Sequence, residues 1–113
     1  MTGPTKSKRG DVVAVAGAGY AGKPRPCVVL QADEFDATDS VTVCLLSSID
    51  ARAPLMRIAI TPSSENGLRK PTWAMADKVM TVRREHLGRR IGVLADADMT
   101  AIGRAIVVFL KLA

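Results

Sequence analysis

Apolar residues fall in short β-branched runs along most of this chain, and their spacing changes only near the C-terminus. DVVAVA, residues 11–16, lies between Gly10 and Gly17 and predicts a first strand. PCVVLQA (26–32) predicts a second, and VTVCLLS (41–47) a third. Between them, DEFDATDS (33–40) carries four acids and turn formers and reads as a loop. SIDARAP (48–54) is a connection ended by Pro54. LMRIAIT (55–61) alternates, so it predicts a half-buried strand with Arg57 on the wetter face. PSSENGLRKP (62–71) is another loop. TWAMADKVMTV (72–82) reads as one long bent strand or as two broken near Asp77. RREHLGRRIGVL (83–94) reads as glycine-punctuated turns, with a short helical turn over EHLGRR.

The last segment, residues 96–113, places Met99, Ile102, Ile106, Phe109 and Ala113 at helical spacing. Asp96 and Asp98 stand at its start, where acids favour the helix dipole, and Asp96 is the natural N-cap. Val107, Val108, Leu110 and Leu112 widen the apolar stripe beyond one packing face. Such a helix needs two neighbours: its own sheet and a second subunit. Strands at regular spacing followed by one helix predict a small, mostly antiparallel barrel or sandwich with a C-terminal helix.

The chain has 113 residues, 48% of them hydrophobic, which suits one domain with a modest core. The longest apolar run, AIVVFLKL, falls well short of the roughly 20 residues that span a bilayer. Lys6, Lys8 and Arg9 have no apolar stretch behind them, so the N-terminus does not read as a secretory signal. Residues 1–8 are expected to be a solvated basic tail and 9–113 the domain. Cys27 and Cys44 lack the companions of a zinc site and fall inside predicted strands. The expectation is two buried free thiols in a reducing cytoplasm. The net charge of +5 and pI of about 9.7 suit nucleic acid or an acidic protein partner. Aromatic residues are scarce, which argues against a surface that stacks many bases.

GAGYAGKPRP, residues 17–26, matches both G-x-G-x-x-G and G-x-x-x-x-G-K. Both nucleotide-binding patterns need a helix directly after the glycines, whose N–H groups hold the phosphate. Here Pro24 stands where a P-loop needs Ser or Thr, and a predicted strand follows. The loop therefore reads as a hairpin connection that delivers Arg25, fixed between Pro24 and Pro26, to a strand's start. A guanidinium so held suits either a phosphate or a surface ion pair.

These stretches together resemble the MazF/PemK/Kid family of bacterial toxin endoribonucleases. The matching motifs are KRGDVVAVA, KPRPCVVLQAD, VTVCLLSS, WAMADKVMTV and HLGRRIGVL, in order and in register from about Lys8 to the end. The resemblance implies an SH3-like antiparallel barrel with a C-terminal helix, acting as a homodimer. It implies metal-independent, cofactor-free cleavage of single-stranded RNA through the ribose 2′-hydroxyl, leaving a 2′,3′-cyclic phosphate and a 5′-hydroxyl. The family's catalytic Arg and strand-ending Ser/Thr map to Arg25 and Ser47, with Ser48 as the alternative hydroxyl. Tyr20, Gly22, Lys23, Ser48 and Arg52 fall where they would touch RNA, and Tyr20 would stack on a base. Arg83, Arg84, Arg89 and Arg90 either extend that basic surface or are solvated charge, and His86 reads as a surface residue. Lys78 stands where the family motif has glutamine. The implied partner is an antitoxin whose acidic, disordered segment covers the RNA groove, and opposite charge would speed its capture. A different reading on the same scaffold is a CcdB-like toxin that poisons gyrase, or a non-catalytic binding module. RNA left intact while gyrase is trapped on DNA would single it out.

Overall fold

In the computed structural model the described residues are 7–17 and 23–113. Six strands form one sheet: β1 (Asp11–Val15), β2 (Arg25–Val29), β3 (Ser40–Ser47), β4 (Arg57–Ile60), β5 (Thr72–Arg83) and β6 (Leu87–Val93). The order across the sheet is β4-β5-β3-β2-β1-β6, and every neighbouring pair is antiparallel. Helix α1 (Asp96–Leu110) follows and packs over β4 and β5. The expectation of a mostly β chain with a C-terminal helix holds.

Both faces of the central strands are covered, which is why DVVAV and VTVCLL are continuously apolar. On one face Val12, Val28, Cys44, Leu46, Ile60 and Ala74 meet Leu94, Met99 and Ile102 from the helix and its approach. On the other, Val13, Val15, Cys27, Val29, Val41, Val43, Leu45 and Met75 form a second cluster. Met80 and Val82 of β5 and Leu87 of β6 pack against this second cluster, although β5 and β6 stand far apart in the sheet. The sheet therefore coils strongly around it.

The hydrogen-bonded ladder does not close into a barrel, because β4 and β6 do not pair. The β4–β5 loop fills the gap instead. Val93 donates its N–H to the carbonyl of Glu65 at 2.9 Å. Gly67 has φ +69°, and a Cβ there would lie 2.3 Å from the carbonyl oxygen of Ile91, so only glycine fits.

Several elements differ from the sequence expectation. Residues 87–93 are a strand rather than turns. Gly88 and Gly92 look like turn punctuation, but they let other backbone approach, since Cβ atoms there would meet Ala14 at 3.1 Å and Asn66 at 2.4 Å. The helical turn is a 3-10 turn over Arg84–His86, ahead of the place expected. A similar turn, Asp33–Phe35, lies inside the DEFDATDS loop. The 72–82 segment is one strand bent near Asp77: its pairing with β3 shifts between Cys44 and Leu46, and Ala76 bonds Met56 instead. At the helix start, Ala95 is the N-cap and makes no side-chain cap bond; Asp96 is the first helical residue. Met99 and Ile102 are buried as the periodicity required, with Ala105 buried beside them, and Ile106 is half-buried, but Phe109 is 45% exposed and Ala113 is exposed, beyond the packed stripe. Val108, Leu110 and Leu112 are exposed around it. Arg57 lies on the wetter face with the exposed Ala59, opposite Ile58 and Ile60, but its own side chain is only 15% exposed because it is paired.

Cys27 and Cys44 are buried free thiols, as expected. Burial pushes each up to about 12, so both stay protonated. Among the described residues, no helix is long and apolar enough to cross a membrane.

Candidate functional site

Pro24 is followed directly by β2, so no helix N-terminus follows Lys23 and neither nucleotide pattern has its context. Arg25 opens β2, opposite Val15 of β1, while Pro26 stands opposite Ala14. On the other side of β2, Cys27 faces Leu45, Val28 faces Cys44 and Val29 faces Val43. Carried two residues further, this register sets Arg25 opposite Ser47, the last residue of β3. The step of two also keeps both side chains on the face of Cys27 and Leu45. Both therefore leave the second cluster at one of its ends, where the apolar run gives way to solvent.

That end opens into a groove of about 1030 Å³. Arg25, Ser47 and Ser48 all line it. Leu45, Leu46, Met75, Met80 and Ile91 supply apolar walls. Six cations also line it, namely Arg25, Arg57, Arg69, Lys70, Lys78 and Arg89, and no carboxylate does. Only Arg57 is paired: its guanidinium reaches both carboxylate oxygens of Asp77, at 2.9 and 3.0 Å. The hydrogen bond from Arg57 holds the Asp77 carboxyl below the usual carboxylate range, against the opposing pull of burial. The other five cations make no salt bridge to a described residue.

Ser47 is half-buried, and its Oγ accepts the N–H of Ile49 at 3.1 Å. That bond uses a lone pair and leaves the hydroxyl proton free to donate outward. Ser48, next in the chain, is exposed.

The other expected contacts fall differently. Tyr20 and Gly22 lie outside the described residues. Lys23 and Arg52 are exposed but do not line the groove; Arg52 has φ 52° in a turn whose N–H bonds Asp50 at 2.8 Å. Of the four arginines between 83 and 90, only Arg89 lines the groove. Arg83 pairs with Glu85, Arg84 bonds the carbonyl of Thr38, and Arg90 reaches Asp11 at 3.1 Å. His86 is exposed beside Glu85. Sequence reasoning missed Arg69 and Lys70. Their signal was a basic pair running into Pro71, a local echo of Lys23-Pro24-Arg25-Pro26. Among the described residues, no group of three His, Cys, Asp or Glu side chains is placed to hold a metal ion.

The family described as "PemK-like, MazF-like toxin of type II toxin-antitoxin system" matches residues 8–110. A relative from Mycolicibacterium smegmatis, "Probable endoribonuclease MazF", is 48% identical over 107 residues, covering 94% of this chain and 98% of its own. Among solved structures, an endoribonuclease in complex with its cognate antitoxin from a mycobacterial species superposes with a TM-score of 0.79 at 22% identity, over 95% of this chain and 97% of that one. The MazE-MazF complex of Deinococcus radiodurans gives a TM-score of 0.79 at 14% identity, over 97% and 100% of the two chains. These two likenesses speak for the fold. The family match along nearly the whole length and the 48% identical relative show that the chain belongs to the PemK/MazF family of type II toxin–antitoxin toxins.

Proposed function

We propose that this toxin is an endoribonuclease that cuts single-stranded RNA in the basic groove, with Arg25 and Ser47 at the scissile phosphate. One observation carries the reading: the β2–β3 register, continued two residues past its last pair, brings Arg25 opposite Ser47, and both line a groove that no described carboxylate lines. The ribose 2′-oxygen attacks the adjacent phosphorus, and the bond from phosphorus to the 5′-oxygen breaks. The products are a 2′,3′-cyclic phosphate and a 5′-hydroxyl. The proton leaving the 2′-oxygen passes to water, and water returns one to the 5′-oxygen. Arginine stays charged at all working pH, so Arg25 stabilises the negative charge that builds on the non-bridging oxygens. Its planar fork suits two of those oxygens at once. Ser47 donates its free proton to the phosphate and fixes its orientation. Ser47 rather than Ser48 is supported as the hydroxyl by the strand alternation that sets it on the face of Arg25.

The same groove suits an acidic antitoxin segment, whose carboxylates would meet the five unpaired cations. The exposed apolar end of α1 suits a second copy of the chain. Work on RNA and two buried free thiols both suit a cytoplasmic setting.

The test is cleavage of RNA by purified protein in EDTA, with the new ends sequenced. Wild type should leave cyclic phosphates, and Arg25→Ala should lose about 100-fold or more in rate, as when one oxyanion-stabilising donor is removed. Ser47→Ala should lose more than Ser48→Ala. Undiminished cutting by Arg25→Ala would end this assignment.

A further inference from the structure

The β4–β5 loop is an unusually well-fastened piece of chain. Asn66 is 2% exposed, and both polar atoms of its side chain are hydrogen-bonded. Its Oδ1 accepts N–H groups from Ser63 and Leu68, both at 3.0 Å, and its Nδ2 donates to the carbonyl of Thr61 at 2.9 Å. Its own N–H reaches the hydroxyl of Ser63 at 3.1 Å. Gly67 then lies so close to Ile91 of β6 that no Cβ fits between them. Five residues on, the hydroxyl of Thr72 donates to the carbonyl of Lys70 at 2.9 Å, and Pro71 disfavours helical backbone at Lys70. Residues 68–70 are thus pinned at both ends, and all three line the groove. Arg69 and Lys70 are exposed and make no salt bridge to a described residue.

An exposed ion pair would explain two neighbouring cations on a surface loop, but no described carboxylate meets them. A loop needed only to plug the sheet would not have to turn both cations into the groove. Pre-fixing the backbone lowers the ordering cost when such side chains take a ligand. We propose that residues 68–70 are a second phosphate grip, in which Arg69 and Lys70 hold RNA phosphodiesters other than the scissile one and Asn66 is the positioning residue that keeps them there. The proposal rests on the reading of the groove as an RNA site. It assigns the ligand to the sugar–phosphate backbone and gives these two residues no part in bond breaking.

The experiment measures binding of a fluorescein-labelled single-stranded RNA pool by anisotropy at increasing salt, on an Arg25→Ala background. Each phosphate contact on a single strand contributes about 0.7 to the log–log salt slope, so adding Arg69→Ala and Lys70→Ala should make the slope shallower by about 1.4. A charge-matched control, Arg83→Ala with Arg104→Ala, removes two cations outside the groove and should leave the slope close to its starting value. Asn66→Ala should reproduce much of the shallower slope, and adding it to the Arg69/Lys70 variant should change the slope no further. A merely structural Asn66 would lower the melting temperature and leave the slope alone. Should Asn66→Ala fail to fold, the exposed Arg69/Lys70 variant carries the test. In cleavage assays with Arg25 present, the Arg69/Lys70 variant should raise KM with little loss of kcat. An unchanged slope in the Arg69/Lys70 variant, or an equal fall in the control, overturns the grip. If wild type cuts no RNA, the endoribonuclease reading fails separately, because the binding measurement needs no cleavage.

Discussion

Arg57 reaches Asp77 with two N–H groups, and this pair sets the groove's response to acid. The Asp77 carboxyl is held below its ordinary range, chiefly by that hydrogen bonding. A depressed carboxyl contributes stability that is present above its unfolded value and is lost as pH falls through the folded value. The unfolding midpoint should therefore drop as pH is taken below about 4, and Asp77→Asn should flatten part of that fall. Thermal melts across the acid range measure both, and identical acid profiles for the two proteins would show that the pair adds nothing. The pair is what the sequence does not show. Alternation in LMRIAIT places Arg57 on the wetter face, as found, but its partner lies twenty residues on in sequence, at the bend of β5. Single-residue patterning carries no information about such a partner. Arg25 was legible for the opposite reason: its two prolines are adjacent in sequence, so the constraint on it is local.

Among the elements, strands with β-branched runs were readable within one to three residues, β2 ending at Val29 rather than Ala32, because sheet propensity and double-sided burial leave the same mark. β6 was not. Its glycines mimic turns, and their cause is the close approach of Ala14 and of Asn66, which are distant along the chain. The helix was readable through Met99 and Ile102 but not at its ends. Val108, Phe109, Leu110 and Leu112 continue the apolar pattern past the last contact with the sheet. Their exposure makes the end of α1 the natural place for a second copy of the chain. Phe109→Asp should shift the sedimentation of a dimer toward monomer while circular dichroism keeps its helical signal. Unaltered sedimentation would remove the helix end from the interface.

For the whole molecule, the net charge of +5 indicated an acidic partner but not where it would bind. The structure concentrates in one groove five cations that no described carboxylate pairs, and spends Arg57, Arg83 and Arg90 on internal pairs. With about 0.7 per phosphate contact, RNA binding by the intact groove should show a log–log salt slope no steeper than about −3.5. A markedly steeper slope would mean that cations outside the groove also bind. The motif order made the fold legible, since it follows from strands in register, and it singled out Arg25 with Ser47 or Ser48, all of which line the groove. The groove's far wall was not, because it depends on how a loop meets β6.

That wall has a consequence for how relatives diverge. The proposed scissile pair stands on the β2–β3 ladder, whose geometry the core dictates, whereas Arg69 and Lys70 ride on a separate, self-braced loop. Exchanging residues 61–71 between related toxins should therefore retune how tightly a transcript is held, whatever its sequence, and spare the scissors themselves.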